Sequence, residues 1–201
     1  MKTIILGTAH LKSTPGKCSP DGKFREYQYS REIVAAVKAI LKNSGYNVFV
    51  DIEDDDLNVT QSRELCLRCK MVNDLCKVYG DCIYVSIHVN AAGSDGKWHT
   101  ATGWEAYTSP GKTKADNLAT CLYEAAKKNL KNIKLRTDYS DKDPDKEANL
   151  YILKHTSCPA VLTENLFQDN KSDVEYLQSD EGFHAIVRTH VEGILNYIKS
   201  H

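Results

Sequence analysis

The segment at positions 81–92 constrains the fold of this chain more than any other. Residues 82–89 are mostly β-branched or aromatic, and an unbroken run of this kind is typical of a strand in a parallel sheet covered on both faces. The run ends at Asn90, before a Gly-Ser-Asp-Gly loop. His88 is therefore predicted at the carboxyl end of a central strand, where open α/β sheets bind their ligands. A lone histidine there is more often a hydrogen-bonded core residue, so its role depends on its neighbours.

Strands and helices alternate along the rest of the sequence. Apolar spacing predicts helices at 25–43, 60–79, 112–130, 173–177 and 181–199, and strands at 2–7, 46–52, 102–107 and 159–166. This order predicts the α/β class, with a three-layer α/β/α arrangement and a mostly parallel, twisted sheet of about six strands between helices on both faces. The polar stretch at 131–149 is predicted as a mobile loop beside the site. The acidic run at 53–56 is predicted as a solvated loop rather than a metal site.

Length and charge limit the classes of partner. A chain of 201 residues can bury the core of one α/β domain, and no repeat or linker divides it, so a single domain over 1–201 is expected. A net charge of −1 without a basic stripe argues against nucleic acid and against a polybasic membrane contact. The apolar core at 4–7 is too short for a signal peptide, and no later segment could span a bilayer. We expect a monomer, made in the cytoplasm without an export signal of its own.

Seven cysteines are spread along the chain. An odd number, in a chain large enough to fold without covalent crosslinks, predicts mostly reduced thiols. Cys66 and Cys69 form a Cys-x-x-Cys motif, which occurs in zinc and redox sites, but they fall in a predicted helix without a second pair at zinc-finger spacing. We expect both to be small apolar residues of that helix and to carry no metal.

Three potential metal ligands are predicted to converge. His10 follows the first strand, Glu26 lies in the first turn of the first helix, and His88 ends the central strand. Two imidazoles and one carboxylate are a common ligand set for catalytic Zn²⁺, with an open position for a water whose pKa falls to about 7. Glu164, in a strand expected to be parallel to the first and third, is placed to act as the general base and acid. Taken singly, these residues also have ordinary interpretations as loop or surface side chains.

Several short motifs follow one another in a recognisable order. The two most specific are Ser86-Ile-His-Val-Asn-Ala91 and Pro159-Ala-Val-Leu-Thr-Glu164. Weaker ones accompany them, at Ile4–His10, at Arg25–Ile33 with Glu26, at Leu65, Arg68 and Asn73, and at Gly103–Tyr107 followed by Ser109. In this order, over nearly the whole chain, the motifs resemble those of the zinc-dependent N-acetylmuramoyl-L-alanine amidases of the amidase_3 type.

Two departures from that family's pattern concern glycines. The usual Gly-His-Gly is Ala9-His10-Leu11 here, and the inserted loop at 12–22 resembles variants in phage and Bacteroidetes-like lysins. The usual Glu-x-Gly-Phe is Glu164-Asn-Leu-Phe167. The three ligand types and the catalytic glutamate are all retained.

The resemblance implies hydrolysis of the amide between the lactyl group of N-acetylmuramic acid and the L-alanine of the peptidoglycan stem peptide. It implies Zn²⁺ on His10, Glu26 and His88, with Glu164 as the proton shuttle and peptidoglycan or a muropeptide as the substrate. Arg136 and Asn90 are candidates for substrate binding. Arg136 would bind a peptide carboxylate or support the oxyanion, and a solvated loop arginine is the alternative.

Two other functions stay open at this point. A non-catalytic peptidoglycan-binding module on the same fold would be expected to lose a ligand or Glu164, and a metallopeptidase would cut within the stem peptide. No separate cell-wall-binding domain is expected. The favoured setting is a phage or prophage endolysin that reaches the wall through a membrane lesion, and a bacterial autolysin with a trimmed signal peptide is the alternative.

Overall fold

The chain, described by a computed structural model at residues 2–53 and 57–201, alternates strands and helices as predicted. The strands are β1 (Thr3–Thr8), β2 (Val48–Val50), β3 (Cys82–Asn90), β4 (Trp104–Thr108), β5 (Lys146–Glu147) and β6 (Ala160–Phe167). The helices are α1 (Glu26–Asn43), α2 (Gln61–Tyr79), α3 (Lys114–Asn129), α4 (Tyr151–Lys154), α5 (Lys171–Gln178) and α6 (Asp180–Ser200). Of the acidic run at 53–56, positions 54–56 lie outside the described residues.

All six strands form one sheet, in the order β2-β1-β3-β6-β4-β5. Neighbouring strands are parallel except β4 and β6, which are antiparallel. The prediction of a mostly parallel sheet of about six strands is therefore confirmed. β3 and β6 lie in the middle, and their register aligns His88 with Glu164.

Alternation along the central strands builds two cores. In β3, Ile83, Val85 and Ile87 pack against α1, α3 and α6, whereas Cys82 and Tyr84 pack against α2 and α4 on the opposite face. Successive side chains of a strand point to opposite faces, so an unbroken apolar run covers both. This produces the predicted three layers.

Four of the described helices begin at short polar residues that cap them. Thr60 caps α2 by accepting a hydrogen bond from the Arg63 N–H, and Thr113 forms a capping box with Asp116 at the start of α3. Asn170 and Ser179 cap α5 and α6 in the same way. These side chains satisfy backbone N–H groups that have no partner within the helix. None of the helices in the described part of the chain combines the length and the apolar character that crossing a bilayer requires.

The segment at 131–149 differs in part from the predicted loop. Its residues Lys146 and Glu147 form β5, which pairs with Tyr107 and Thr108 of β4. A strand of two residues is too short to show a period in the sequence, so it depends on the neighbouring strand and could not be predicted locally. This pairing brings the polar segment to the sheet edge beside β4.

Candidate active site

His10, Glu26 and His88 meet at the carboxyl end of β1 and β3. One ligand atom from each lies within 4.8 Å of the others, and no other such group of three occurs among residues 2–53 and 57–201. Nδ1 of His88 is 3.1 Å from Oε1 of Glu26, and Nε2 of His10 is 3.5 Å from Oε2 of the same carboxylate. The structure therefore brings together the three residues that the sequence proposed as ligands.

Glu26 is held in place by its position at the first residue of α1. Its Oε1 also accepts a hydrogen bond from the Val89 N–H at 3.2 Å, which ties the helix start to the end of β3. Its Oε2 is buried and accepts no hydrogen bond within the described residues. A buried carboxylate oxygen without a donor is costly, and a cation between the three side chains would satisfy it.

Burial sets the protonation of the two histidines. Burial is the main reason why the pKa of His10 and the pKa of His88 are each lowered to about 3. Both imidazoles are therefore neutral at pH 7, the form that binds a metal. Burial also raises the pKa of Glu26, against the opposing effect of His10. The donor set, neutral nitrogens with one carboxylate, fits a zinc ion.

The backbone at His10 is fixed by two arginines. His10 has a φ of 44°, in the left-handed region that non-glycine residues seldom adopt. Its carbonyl accepts hydrogen bonds from Nη1 of Arg31 at 3.0 Å and from Nη2 of Arg68 at 3.3 Å. The N–H of Ala9 donates to the Ser30 hydroxyl. These contacts stabilise the turn that points the imidazole at Glu26.

Arg68 is itself part of a buried network on the α2 face. It donates to Asp51 at 2.7 Å and to Glu64 at 2.8 Å, and Asp51 also accepts from the Tyr84 hydroxyl. All four side chains are almost fully buried. Removing one partner of such a network leaves a buried charge uncompensated, so the support of His10 depends on the whole network.

Glu164 lies directly beside His88 in the β3–β6 register. Residues aligned on neighbouring strands point to the same face, so the carboxylate faces the ligand cluster. Burial, and then the charge of Glu26, raise the pKa of Glu164 above its ordinary value of 4.5. Its Oε2 is buried and has no hydrogen-bond partner among the described residues. Glu164 lies three residues before the end of β6 rather than at its last residue.

The two candidates for substrate binding meet at Glu105, a buried carboxylate in register with Glu164 on β4. Its Oε1 accepts from Nδ2 of Asn90 at 2.6 Å, and its Oε2 accepts from Nε of Arg136 at 2.8 Å. Lys146 of β5 also donates to Oε2. Side-chain hydrogen bonds from Lys146 and Arg136 lower the pKa of Glu105, against the effect of burial.

Sequence reasoning did not assign a role to Glu105 or Lys146. Glu105 is part of the Gly103–Tyr107 motif. It lies two residues before Tyr107, so the two side chains share one face of the strand, and the Tyr107 hydroxyl donates a hydrogen bond to Glu105. This spacing is the signal that could have identified Glu105. No pattern in the sequence pointed to Lys146, because its position beside Glu105 depends on the formation of β5. Together these residues form a charged wall of the site next to Glu164.

Comparisons with known proteins show which family the chain resembles. The family model for N-acetylmuramoyl-L-alanine amidase matches residues 4–196. The N-acetylmuramoyl-L-alanine amidase CwlM of Bacillus licheniformis is 30% identical over 198 residues, which are 96% of this chain and 68% of the relative. The endolysin of Bacillus phage SPP1 is 34% identical over 199 residues, 96% of this chain and 65% of the relative. The chain thus spans about two thirds of the length of these relatives.

A solved structure shows the same fold. The N-acetylmuramoyl-L-alanine amidase from Clostridium difficile 630 superposes with a TM-score of 0.83 at 22% identity, covering 99% of this chain and 97% of that one. At this identity the likeness establishes the architecture alone. Because the family model extends over nearly all of the sequence, the chain belongs to the N-acetylmuramoyl-L-alanine amidase family.

Proposed function

We propose that the chain is a zinc-dependent hydrolase that cuts the amide between the lactyl group of N-acetylmuramic acid and the L-alanine of the peptidoglycan stem peptide. The observation that carries the proposal is the convergence of His10, Glu26 and His88, with Glu164 aligned beside His88. Relatives named as amidase and endolysin support the substrate class. A module that only binds peptidoglycan would have no need of this set of side chains.

Three side chains would hold the zinc ion, through one nitrogen each from His10 and His88 and the carboxylate of Glu26. When bound, zinc polarises the scissile carbonyl and lowers the pKa of a bound water. Nδ1 of His88 faces Glu26, so its Nε2, 3.1 Å from the Ser86 hydroxyl, is free to donate to that oxygen. Such a hydrogen bond fixes the tautomer and the orientation of the ring.

Glu164 would move the proton. Its buried Oε2 would accept a proton from the attacking water and return it to the leaving nitrogen of L-alanine. Burial and the neighbouring Glu26 raise the pKa of Glu164 above 4.5, so the carboxylate form is lost at a higher pH than for an exposed glutamate. We expect activity on the acid side of the profile to rise with pH as Glu164 ionises.

Arg136 and Asn90 would orient the stem peptide beside Glu164. Arg136 uses Nε for Glu105, and its two Nη atoms make no hydrogen bond with the residues that the structure describes. Its side chain is partly exposed and lies over the Phe167 ring, which leaves one edge of the guanidinium for a carboxylate of the peptide. Glu105 also orients Asn90, whose amide would contact the peptide backbone.

We further propose that residues 1–201 form one catalytic domain, and that it acts as a monomer. Packing of all the described helices against a single sheet supports the first point. The similarity to a phage endolysin supports a setting in phage or prophage lysis, with a bacterial autolysin as the alternative.

The decisive experiment follows the products of a defined muropeptide by mass spectrometry. Release of a peptide with a free L-alanine amine, together with the free lactyl carboxylate, is expected. The Glu164→Gln variant keeps the size and hydrogen bonding of the side chain but removes the base, so zinc content should persist while turnover falls about 10²- to 10⁴-fold. Glu192→Gln changes a glutamate that pairs with Lys128 on the helical surface and is the matched control.

Metal content tests the ligands separately. His88→Ala should lower both zinc stoichiometry and activity, whereas His99→Ala should lower neither, because His99 contacts Asp95 in an exposed loop. Cleavage between two stem-peptide residues would identify a peptidase, and binding without cleavage would identify a binding module. A Glu164→Gln protein with wild-type turnover would contradict the assigned proton shuttle.

A further inference from the structure

Three thiols cluster at the end of the sheet opposite the active site. Cys82 is the first residue of β3, Cys158 lies two residues before β6, and Cys76 is in the last turn of α2. Tyr84 aligns with Ala160, and its N–H donates to the Pro159 carbonyl at 2.9 Å. The same register extended by two residues places Cys82 beside Cys158 on the α2 face.

Asn73 holds α2 against the segment that carries Cys158. Its Nδ2 donates to the His155 carbonyl at 2.8 Å, and its Oδ1 accepts from the Ser157 N–H at 2.7 Å. Residues three apart on a helix share a face, so Cys76 points to the same segment as Asn73. Cys76 and Cys158 both pack on the core between α2, α4 and the sheet, and the Cys76 thiol is a hydrogen-bonding neighbour of Cys158 and of Cys82.

The geometry favours a pair over a metal site. Among residues 2–53 and 57–201, His10, Glu26 and His88 are the only group of three that could hold a metal ion, and the three thiols do not form such a group. All seven cysteines are free thiols. Cys76 and Cys158 are both partly exposed, whereas Cys82 is 3% exposed. A reagent in solution can therefore reach Cys76 and Cys158 more readily than Cys82.

We propose that Cys76 and Cys158 form a disulfide when the protein meets a small-molecule disulfide, and that this bond ties α2 to the start of β6. The Cys76 thiolate attacks one sulfur of the reagent, which releases one thiol and leaves a mixed disulfide. The Cys158 thiolate then attacks the Cys76 sulfur and releases the second thiol. The protein loses two electrons and two protons, and the reagent is reduced to two thiols.

The site is separate from the chemistry of the proposed function. Cys82 and Cys158 lie six positions before His88 and Glu164 along the chain, which corresponds to about 20 Å of extended backbone. A bond there should stabilise the fold without touching the ligands. The biological setting rests on the proposed function, because an enzyme made in a reducing cytoplasm and acting at the wall would pass into surroundings where disulfides persist.

The test is intact-mass analysis of the reduced, full-length protein after incubation with oxidised glutathione. We expect a loss equal to two hydrogen atoms, one linked pair of peptides containing Cys76 and Cys158, and a melting temperature higher by roughly 5–15 °C, because the bond closes a long loop. Burial and the neighbouring Cys76 raise the pKa of Cys158, so formation should accelerate as the pH is raised.

Matched variants separate the outcomes. Cys158→Ser and Cys76→Ser should each abolish the linked peptide and the thermal shift, whereas Cys66→Ser, in the same helix but outside the cluster, should retain both. A glutathione adduct that never resolves, a bond between Cys76 and Cys82 or between Cys82 and Cys158, or an unchanged mass would each overturn the proposal. None of these readouts depends on amidase activity, so failure here is distinct from failure of the proposed function.

Discussion

His190 provides a quantitative test of how burial controls stability. It lies in α6, is fully buried, donates from Nδ1 to the Ile186 carbonyl at 2.8 Å and accepts at Nε2 from the Thr163 hydroxyl at 2.9 Å. Burial lowers its pKa from 6.5 to about 4. Between these two values the unfolded chain binds a proton that the folded chain does not. The free energy of unfolding must therefore fall as the pH falls from 6.5 towards 4, and the full contribution is present above 6.5.

The size of the effect follows from the width of that window. One histidine contributes about 1.4 kcal/mol per pH unit, which is about 2 kcal/mol between pH 7.5 and pH 5. His190→Gln removes this titration. The free energy of unfolding of the wild type, relative to that of the variant, should therefore fall by about 2 kcal/mol as the pH is lowered from 7.5 to 5. Urea unfolding at constant ionic strength and constant zinc measures it, with His184→Gln on the same helix as a control for the substitution itself. Stability curves of wild type and His190→Gln that stay parallel between these pH values would refute the reasoning.

Three further predictions concern packing, the metal and the substrate. Gly7→Ala should destabilise the fold by about 1–3 kcal/mol, because a Cβ there would lie 2.4 Å from the Tyr84 hydroxyl; an unchanged thermal midpoint would contradict this. Replacing both Cys66 and Cys69 by Ala should leave the zinc stoichiometry unchanged, and a loss measured by elemental analysis would mean that the metal site is assigned wrongly. Arg136→Ala should raise KM more for muropeptides with a free carboxylate than for amidated ones, and equal changes in steady-state assays would exclude the carboxylate contact.

The sequence predicted the fold and the convergence of the candidate ligands for one physical reason. Parallel strands end at the same edge of a sheet, so His10, His88 and Glu164 could be placed together once each was assigned to a strand end. Glu26 joined them because it opens the helix that follows β1. These inferences needed only the order of elements and no knowledge of long-range contacts.

Other parts of the site depend on contacts that no local pattern reports. Asp51 follows β2 and pairs with Arg68 of α2, and this buried pair exists only because both elements pack beside β1. The wall around Glu105 likewise requires Lys146, from a two-residue strand whose formation depends on β4. Charged residues with these positions in sequence would ordinarily be assigned to the surface.

The second residue after Glu164 is a leucine in a backbone conformation that favours glycine. The register passes from His88 opposite Glu164 to Asn90 opposite Phe167, so β6 contains one extra residue there, a β-bulge. Leu166, where the family pattern has glycine, has a φ of 64°. Asn165 bonds to the Trp104 indole and Leu166 is fully buried in the core packed by α1 and α6.

The extra residue returns Phe167 to the side of β6 where its ring lies 5.1 Å from the Arg136 guanidinium. A left-handed leucine costs about 1–2 kcal/mol, and burying its side chain contributes about 1.5–3 kcal/mol. The packing therefore offsets the strain, so the bulge that positions Phe167 under Arg136 forms without a glycine.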